Sequence, residues 1–276
     1  MDPGKGIAEQ VPDSTEIVHL HFIPKDIGQL KRPYVITMHG NTNAPMAFDR
    51  NTIFVSKNHA SRFGSESYVY NGLDWDSYPR PDMSKQRTYY HFLGKAAWRV
   101  KNVRGAITTV KKTRKERLKV LGGYRFNIKM GMRFTFSPRI QFYGMVGDEV
   151  KAKVLNGSKG LLFPVLWNEP FGLAITESLF FGCPVFGTPY GSLPELVPNE
   201  VGFLSASASQ LARALENAGS FSGKTCHEYA LDSFNANVMA LNYLKKYEVV
   251  LSGCYLNQHS PTLIKTQDTK FLKWVE

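Results

Sequence analysis

Only three of the 276 residues are cysteine, Cys183, Cys226 and Cys254. So odd and sparse a set excludes a disulfide scaffold and fits free thiols in a reducing compartment. Long apolar runs are missing as well, since no stretch reaches the roughly 18 residues that mark a membrane-spanning helix. The first residues, MDPGKGIAEQVPD, lack the basic-then-apolar order of a secretory leader. No cluster of Cys, His and acids has metal-ligand spacing. His19 and His21 are two apart on one strand face with no acid or thiol beside them, and they read as structural. These absences lead to the expectation of a cytoplasmic globular protein with no metal or cofactor. What is present is ordinary in proportion, 43% apolar and 21% charged. A chain this long can bury one large core or two modest ones.

Acid is scarce in one place. From Lys85 to Arg139 there are 16 Lys or Arg and a single acid, Glu116, more positive charge than the net +11 of the whole chain. Such a field attracts phosphates, nucleic acid or an anionic membrane face. Tyr89, Tyr90, Trp98, Tyr124 and Phe126 interleave with the bases, but no RNA- or DNA-binding motif accompanies them, so nucleic acid is not the expected partner. A peripheral position on an anionic inner membrane face remains compatible with the charge.

Strand-like runs alternate with helix-like ones. The strands are expected at 17–21, 34–38, 53–56, 89–93, 118–121, 140–143, 160–165 and 184–188. The helices are expected at 57–63, 100–113, 148–155, 172–181, 207–218 and 235–251. Repeated strand–helix units predict an α/β fold with parallel sheets covered by helices. The polar, proline-bearing stretch DWDSYPRPDMSKQR, residues 74–87, reads as a linker between two Rossmann-like units, 1–73 and 88–222. Residues 223–251 then form closing helices, and 252–276 a tail without pattern.

Chemistry concentrates after the strand GLLFPV. Glu169 falls in the strand-to-helix loop, Phe171-Gly172-Leu173 opens the next helix, and Glu177 lies one turn inside it. A helix start offers unpaired backbone N–H groups and the positive end of a dipole, which suits a diphosphate. Gly172 permits close approach to the backbone. A carboxylate on either side can accept hydrogen bonds from sugar hydroxyls. Two carboxylates could also suggest a glycoside hydrolase, but an acid poised over an anion site argues against it.

Glu169-Pro170-Phe171-Gly172-Leu173, Glu177, Gly182, Pro184-Val185, Gly191 and Glu195 together resemble the donor-binding signature of retaining GT-B glycosyltransferases, specifically glycosyltransferase family 4 (glycosyl transferases group 1). Phe92-Leu93-Gly94-Lys95 with Lys101-Asn102 resembles the family's G-R…K-G/N segment, with Lys95 where arginine is usual. Asn71-Gly72-Leu73-Asp74 resembles the turn before the interdomain linker. Ile36-Thr37-Met38-His39-Gly40 resembles the strand end whose histidine serves the donor sugar.

The resemblance spans about residues 16–250. It implies a GT-B-like fold and transfer of a sugar from a nucleotide-diphospho-sugar to a glycan, a lipid-linked or another acceptor, as in polysaccharide biosynthesis, with retention at the anomeric carbon. It also implies roles: Lys101 and Lys95 for the diphosphate, Glu169 for the transferred sugar, Glu177 for the ribose. Backbone near Tyr143-Gly144-Met145-Val146 would hold the base, Gly94 would bind the donor within the segment whose cations hold the diphosphate, and His39 would act from the first unit. The resemblance begins at Ile17, which corresponds to the middle of the family's first domain, and the family's Gly-rich first loop has no counterpart. The expectation is therefore a shortened acceptor-side unit, covered by a second copy or a partner. The alternative is a catalytically weak or inactive nucleotide-sugar-binding or scaffold protein.

Overall fold

The computed structural model describes residues 5–127, 133–264, 266–267 and 269–276. It comprises two compact units, residues 1–72 with 236–267 and residues 73–235 with 268–276.

In the first unit three short strands, β1 (Val18–Leu20), β2 (Tyr34–Met38) and β3 (Thr52–Phe54), pair in parallel in that order. α1 (Lys57–Arg62) starts where Ser56 accepts a hydrogen bond from the His59 N–H at 3.0 Å, an N-cap that ends the strand and begins the helix. Val35, Ile53 and Val69 pack against Tyr243 and Val250 of the long helix Ala236–Leu251. Ile7, Val18, Leu20 and Ile36 form a second cluster, and Phe48, Phe54, Ala60 and Phe63 a third. His19 lies on the helix side. Its ring nitrogens are 2.7 Å from the Thr37 and Tyr247 hydroxyls, and Thr37 is in turn 3.0 Å from the Tyr243 hydroxyl. That network ties strands to helix, a structural role.

The second unit runs β4 (Tyr89–Leu93), α2 (Val103–Lys112), β5 (Leu118–Leu121), β6 (Phe126–Asn127), β7 (Arg133–Phe134), β8 (Ile140–Phe142), α3 (Asp148–Asn156), β9 (Ser158–Phe163), α4 (Leu173–Phe180), β10 (Val185–Gly187), α5 (Leu193–Leu196), β11 (Gly202–Leu204), α6 (Ala208–Glu216) and α7 (Gly223–Ser233). The long helix of the first unit is therefore α8. Six strands form one parallel sheet in the order β11-β10-β9-β4-β5-β8, and β6 with β7 makes a separate antiparallel ribbon. The chain moves outward from β4 to β8, then returns to lay β9 on the other side of β4. This makes the carboxyl ends of β4 and β9 the topological switch point, where open α/β sheets bind ligands.

Consecutive residues Leu161, Leu162 and Phe163 are all buried because both faces of the sheet are covered. On one face Val103, Ala106, Ile107 and Val110 of α2, at helical spacing, meet Tyr90, Phe92, Val120 and Ile140, with Leu211 and Leu215 of α6 alongside. On the other face lies α4, packed against β9, β10 and α7.

Residues 74–87 are packed within the second unit: Trp75 stacks on Phe180 at 4.3 Å, and Arg87 donates to the Phe181 carbonyl at 2.7 Å. Of the expected closing helices, α7 stays with the second unit and α8 belongs to the first. The tail has firm anchors. Asn257 Nδ2 donates to the carbonyls of Arg50 and Thr52, while Val275 bridges to Ser207 and Trp274 packs on the core. β11 and the β6–β7 ribbon, three and two residues per strand, are too short to leave a periodic signal.

A half-buried histidine and a buried one set an acid limit. Burial, with nearby His21 and His39, lowers the His19 pKa from 6.5 to about 4. Burial, with Arg87, lowers that of His91 from 6.5 to about 3, its ring held 2.7 and 2.9 Å from the Ser158 and Ser178 hydroxyls. Both rings are neutral in the fold while the unfolded chain takes up protons below 6.5, so stability present above that pH is lost as pH falls toward 4 and then 3. His19 lies in one unit and His91 in the other, so both units should weaken. An unfolding midpoint that stays level on acidification through this window would contradict the assignment.

Candidate functional site

The loops after β4 and β9 bring two of the expected residues together. Lys101 Nζ donates to Glu169 Oε2 at 2.6 Å, with both side chains largely buried. The same oxygen accepts from the Trp167 indole N–H at 2.8 Å. The Lys101 ammonium lies over the rings of Phe163 and Trp167, 5.1 and 5.2 Å from their centroids. A lysine with an apolar cage and one carboxylate is held in place as a fixed cation.

Local backbone explains why Lys101 points there. Arg99–Lys101 is a single 3-10 turn, closed by Asn102 at φ 53°, the left-handed region. Asn102 then caps α2, its Oδ1 accepting from the Gly105 N–H at 2.9 Å. Only glycine or asparagine enters that conformation readily, which gives a physical reason for the Lys-Asn pair.

Glu169 is fixed from behind. Gly191, at φ +62°, lies so close that a Cβ there would sit 2.2 Å from the Glu169 nitrogen. Ser192 completes the brace: its N–H donates to the Glu169 carbonyl at 2.9 Å and its hydroxyl to the Phe171 carbonyl at 2.7 Å. Gly172, at φ 92°, turns the chain into α4, whose first turn carries the exposed Leu173. The Phe171 ring is buried against Phe234, 5.9 Å between centroids.

Glu177 is engaged within its own unit. Its Oε1 accepts from the Tyr78 hydroxyl at 2.9 Å and from Lys151 Nζ, which also pairs with Asp148 at 2.9 Å. Burial and the Glu177 charge raise the Tyr78 pKa, so the phenol stays protonated and donating. Burial works against the Lys151 ammonium, but its bonds to Glu177 and Asp148 prevail and raise its pKa.

The loops after β4, β5 and β8 meet through glycines. The Gly122 N–H donates to the Gly144 carbonyl at 2.6 Å, and a Cβ on Gly122 would sit 2.2 Å from the Gly94 oxygen. Val146 is half-buried between Gly144 and Gly147, which precedes α3. Lys95 does not join Lys101. It is exposed, with its ammonium over the Trp98 ring at 5.0 Å. His39 belongs to the first unit, where its Nε2 is 2.9 Å from His21 Nδ1. Burial, then His21, lowers its pKa. Among the described residues no group of three or more His, Cys, Asp or Glu is arranged to hold a metal ion.

Sequence reasoning missed Trp167, Tyr78 and Lys151. A tryptophan two residues before a loop glutamate was a usable signal. Tyr78 and Lys151 meet Glu177 across 99 and 26 residues of chain, which no local pattern reveals.

Two substitutions test this framework. Gly191→Ala should destabilise the second unit by about 2 kcal/mol or more, since the new Cβ meets fixed backbone in a left-handed position. Asn102→Gly should cost only a few tenths of a kcal/mol, whereas Asn102→Ala should cost about 1–2 through cap and backbone strain together. Chemical denaturation measures both, and equal losses for the two Asn102 variants would refute the left-handed assignment.

Comparison with known proteins agrees with this geometry. Residues 87–219 match the family described as glycosyl transferases group 1. No curated protein matches by sequence. Among solved structures, AviGT4, a glycosyltransferase involved in avilamycin A biosynthesis, superposes with a TM-score of 0.70 at 19% identity, covering 87% of this chain and 76% of its own. Sucrose-phosphate synthase from Thermosynechococcus elongatus gives 0.66 at 16% identity over 86% and 74%. Anabaena Alr3699/HepE, in complex with UDP and glucose, gives 0.62 at 17% identity over 80% and 72%. At such identities the superpositions speak for the fold: α/β and GT-B-like, with the first unit smaller at three strands against six. The matched segment, residues 87–219, holds the Lys101–Glu169 pair and its supporting loops, and its similarity is to the glycosyl transferases group 1 family.

Proposed function

We propose that the protein transfers a sugar, with retention at the anomeric carbon, from a nucleotide-diphospho-sugar bound at the β4–β9 switch point. The observation that carries this reading is the Lys101–Glu169 pair at that crevice, inside the segment that matches the family. The reaction must stabilise a departing diphosphate and a sugar gaining positive charge. Preorganised charge is usually the largest contribution to such a step. Lys101, caged by Phe163 and Trp167, supplies the cation without a metal ion, and the α4 N-terminus adds backbone N–H groups. Lys95 reaches the diphosphate from the exposed start of the same loop. Glu169 accepts hydrogen bonds from sugar hydroxyls as Lys101 turns to phosphate. Glu177, whose described contacts fall on Oε1, offers its other oxygen to the ribose. Gly94, Leu173 and Val146 line the nucleotide, and Phe171 contributes backbone alone. The acceptor is a glycan or a lipid-linked sugar. Since HepE was solved with UDP, UDP-sugars are the first donors to try.

A thermal-shift panel of UDP, GDP, ADP, dTDP and CMP tests donor binding. Removing either partner of a buried pair costs about 3–5 kcal/mol by itself. Each variant is therefore compared with its own ligand-free midpoint. One diphosphate at a hundred times its dissociation constant should stabilise the wild type by ~2.7 kcal/mol. The shift should vanish in Lys101→Ala. Glu169→Ala should keep the nucleotide shift and lose turnover of the nucleotide-sugar. Full transfer by the double variant would refute the assignment, and binding without turnover in the wild type would favour a binding protein.

A further inference from the structure

The β5–β8 crossover is the anomaly of the second sheet. Parallel neighbours are normally joined by a helix that covers the sheet. Here the described part of the connection is the β6–β7 ribbon. Phe126, Phe134 and Phe136 cluster on it, with ring centroids 5.5 and 6.1 Å apart, yet they remain 52%, 48% and 79% exposed. Tyr124 and Met145 are exposed nearby, the Tyr124 ring lying against Gly144. Arg125 staples the root of the ribbon, its guanidinium donating to the carbonyls of Thr135 and Ile140.

Positive charge borders this aromatic ridge. Three residues beyond Phe136, Arg139 donates to the carbonyls of Thr113 and Lys111, so the return of the ribbon is tied to the end of α2. Lys111, Lys112, Arg114, Lys115 and Arg117 are exposed there. Of the acids beside these bases, Glu116 is buried in a two-oxygen pair with Lys159, and the exposed Glu216 accepts from the Arg114 N–H. Three packed phenylalanines beside five exposed bases match one environment in particular, an anionic bilayer. Its headgroups pair with the bases and its acyl boundary takes the rings.

We propose that the β6–β7 ribbon docks this protein on an anionic lipid surface, with Phe126, Phe134 and Phe136 entering the interface and the Lys111–Arg117 cluster holding the headgroups. A duplex nucleic acid would use the bases but would leave the three phenyl rings in water.

Vesicle flotation decides between them, using phosphatidylcholine vesicles with and without phosphatidylglycerol at low and high salt. The wild type should float with the phosphatidylglycerol vesicles at low salt, and far less with phosphatidylcholine alone. The triple variant Phe126→Ser, Phe134→Ser, Phe136→Ser should lower partitioning by about tenfold or more. Its thermal midpoint should stay near wild type, because the rings lie outside the core. Lys111→Glu with Lys112→Glu should lower binding and flatten its salt dependence. Absence of the wild type from anionic vesicles at low salt would overturn the proposal. So would flotation of the triple variant equal to wild type, or RNA-duplex binding that displaces the protein from vesicles.

Discussion

The contact between Lys101 and Glu169 joins groups 68 residues apart in the chain and one strand apart in the sheet. It can form only if β9 returns beside β4, so it reports the sheet order directly. Several neighbouring features serve it. Asn102 adopts a left-handed backbone to end the turn that carries the lysine, Gly191 lacks a side chain so that its loop can brace the glutamate, and Trp167 fixes the shared oxygen. The pair is neutral as a whole and screened from water, which lets two opposite charges reside in a largely buried crevice.

Legibility in the sequence followed the range of the forces involved. β4, β5 and the α4 segment show as apolar runs bounded by glycine, because burial on both faces demands consecutive apolar residues. The Glu169–Glu177 segment showed equally well, since a strand, a tight turn and a helix start follow one another within it. What failed to show was set by distant partners. The 74–87 stretch looked like a linker because its polarity is local, while Trp75 on Phe180 and Arg87 on the Phe181 carbonyl are tertiary facts. The motif shows Phe171 beside Gly172, while the packing of its ring on Phe234 is visible only in the fold.

Charge was visible at once as a total, and only the fold showed how it is spent. Of the bases between Lys85 and Arg139, Lys101 is consumed by the crevice, Arg87, Arg125 and Arg139 by backbone carbonyls, and Lys119 by the rings of Tyr89 and Tyr143. Lys111, Lys112, Arg114, Lys115 and Arg117, on the end of α2 and the start of β5, are exposed to solvent. One run of basic residues thus does three separate jobs, and net charge alone distinguishes none of them.

The division of the chain has a consequence for its synthesis. The first unit is assembled from residues 1–72 and 236–267, with nearly all of the second unit between them. On a ribosome, β1–β3 emerge early but wait for α8, whose Tyr243 and Val250 close their apolar face. The second sheet has all six strands once Leu204 has emerged, while Val35 and Ile53 of the first still lack their cover. Residues 269–276 then return to the second unit, where Trp274 packs on its core, so each unit is closed by a segment encoded after the bulk of the other.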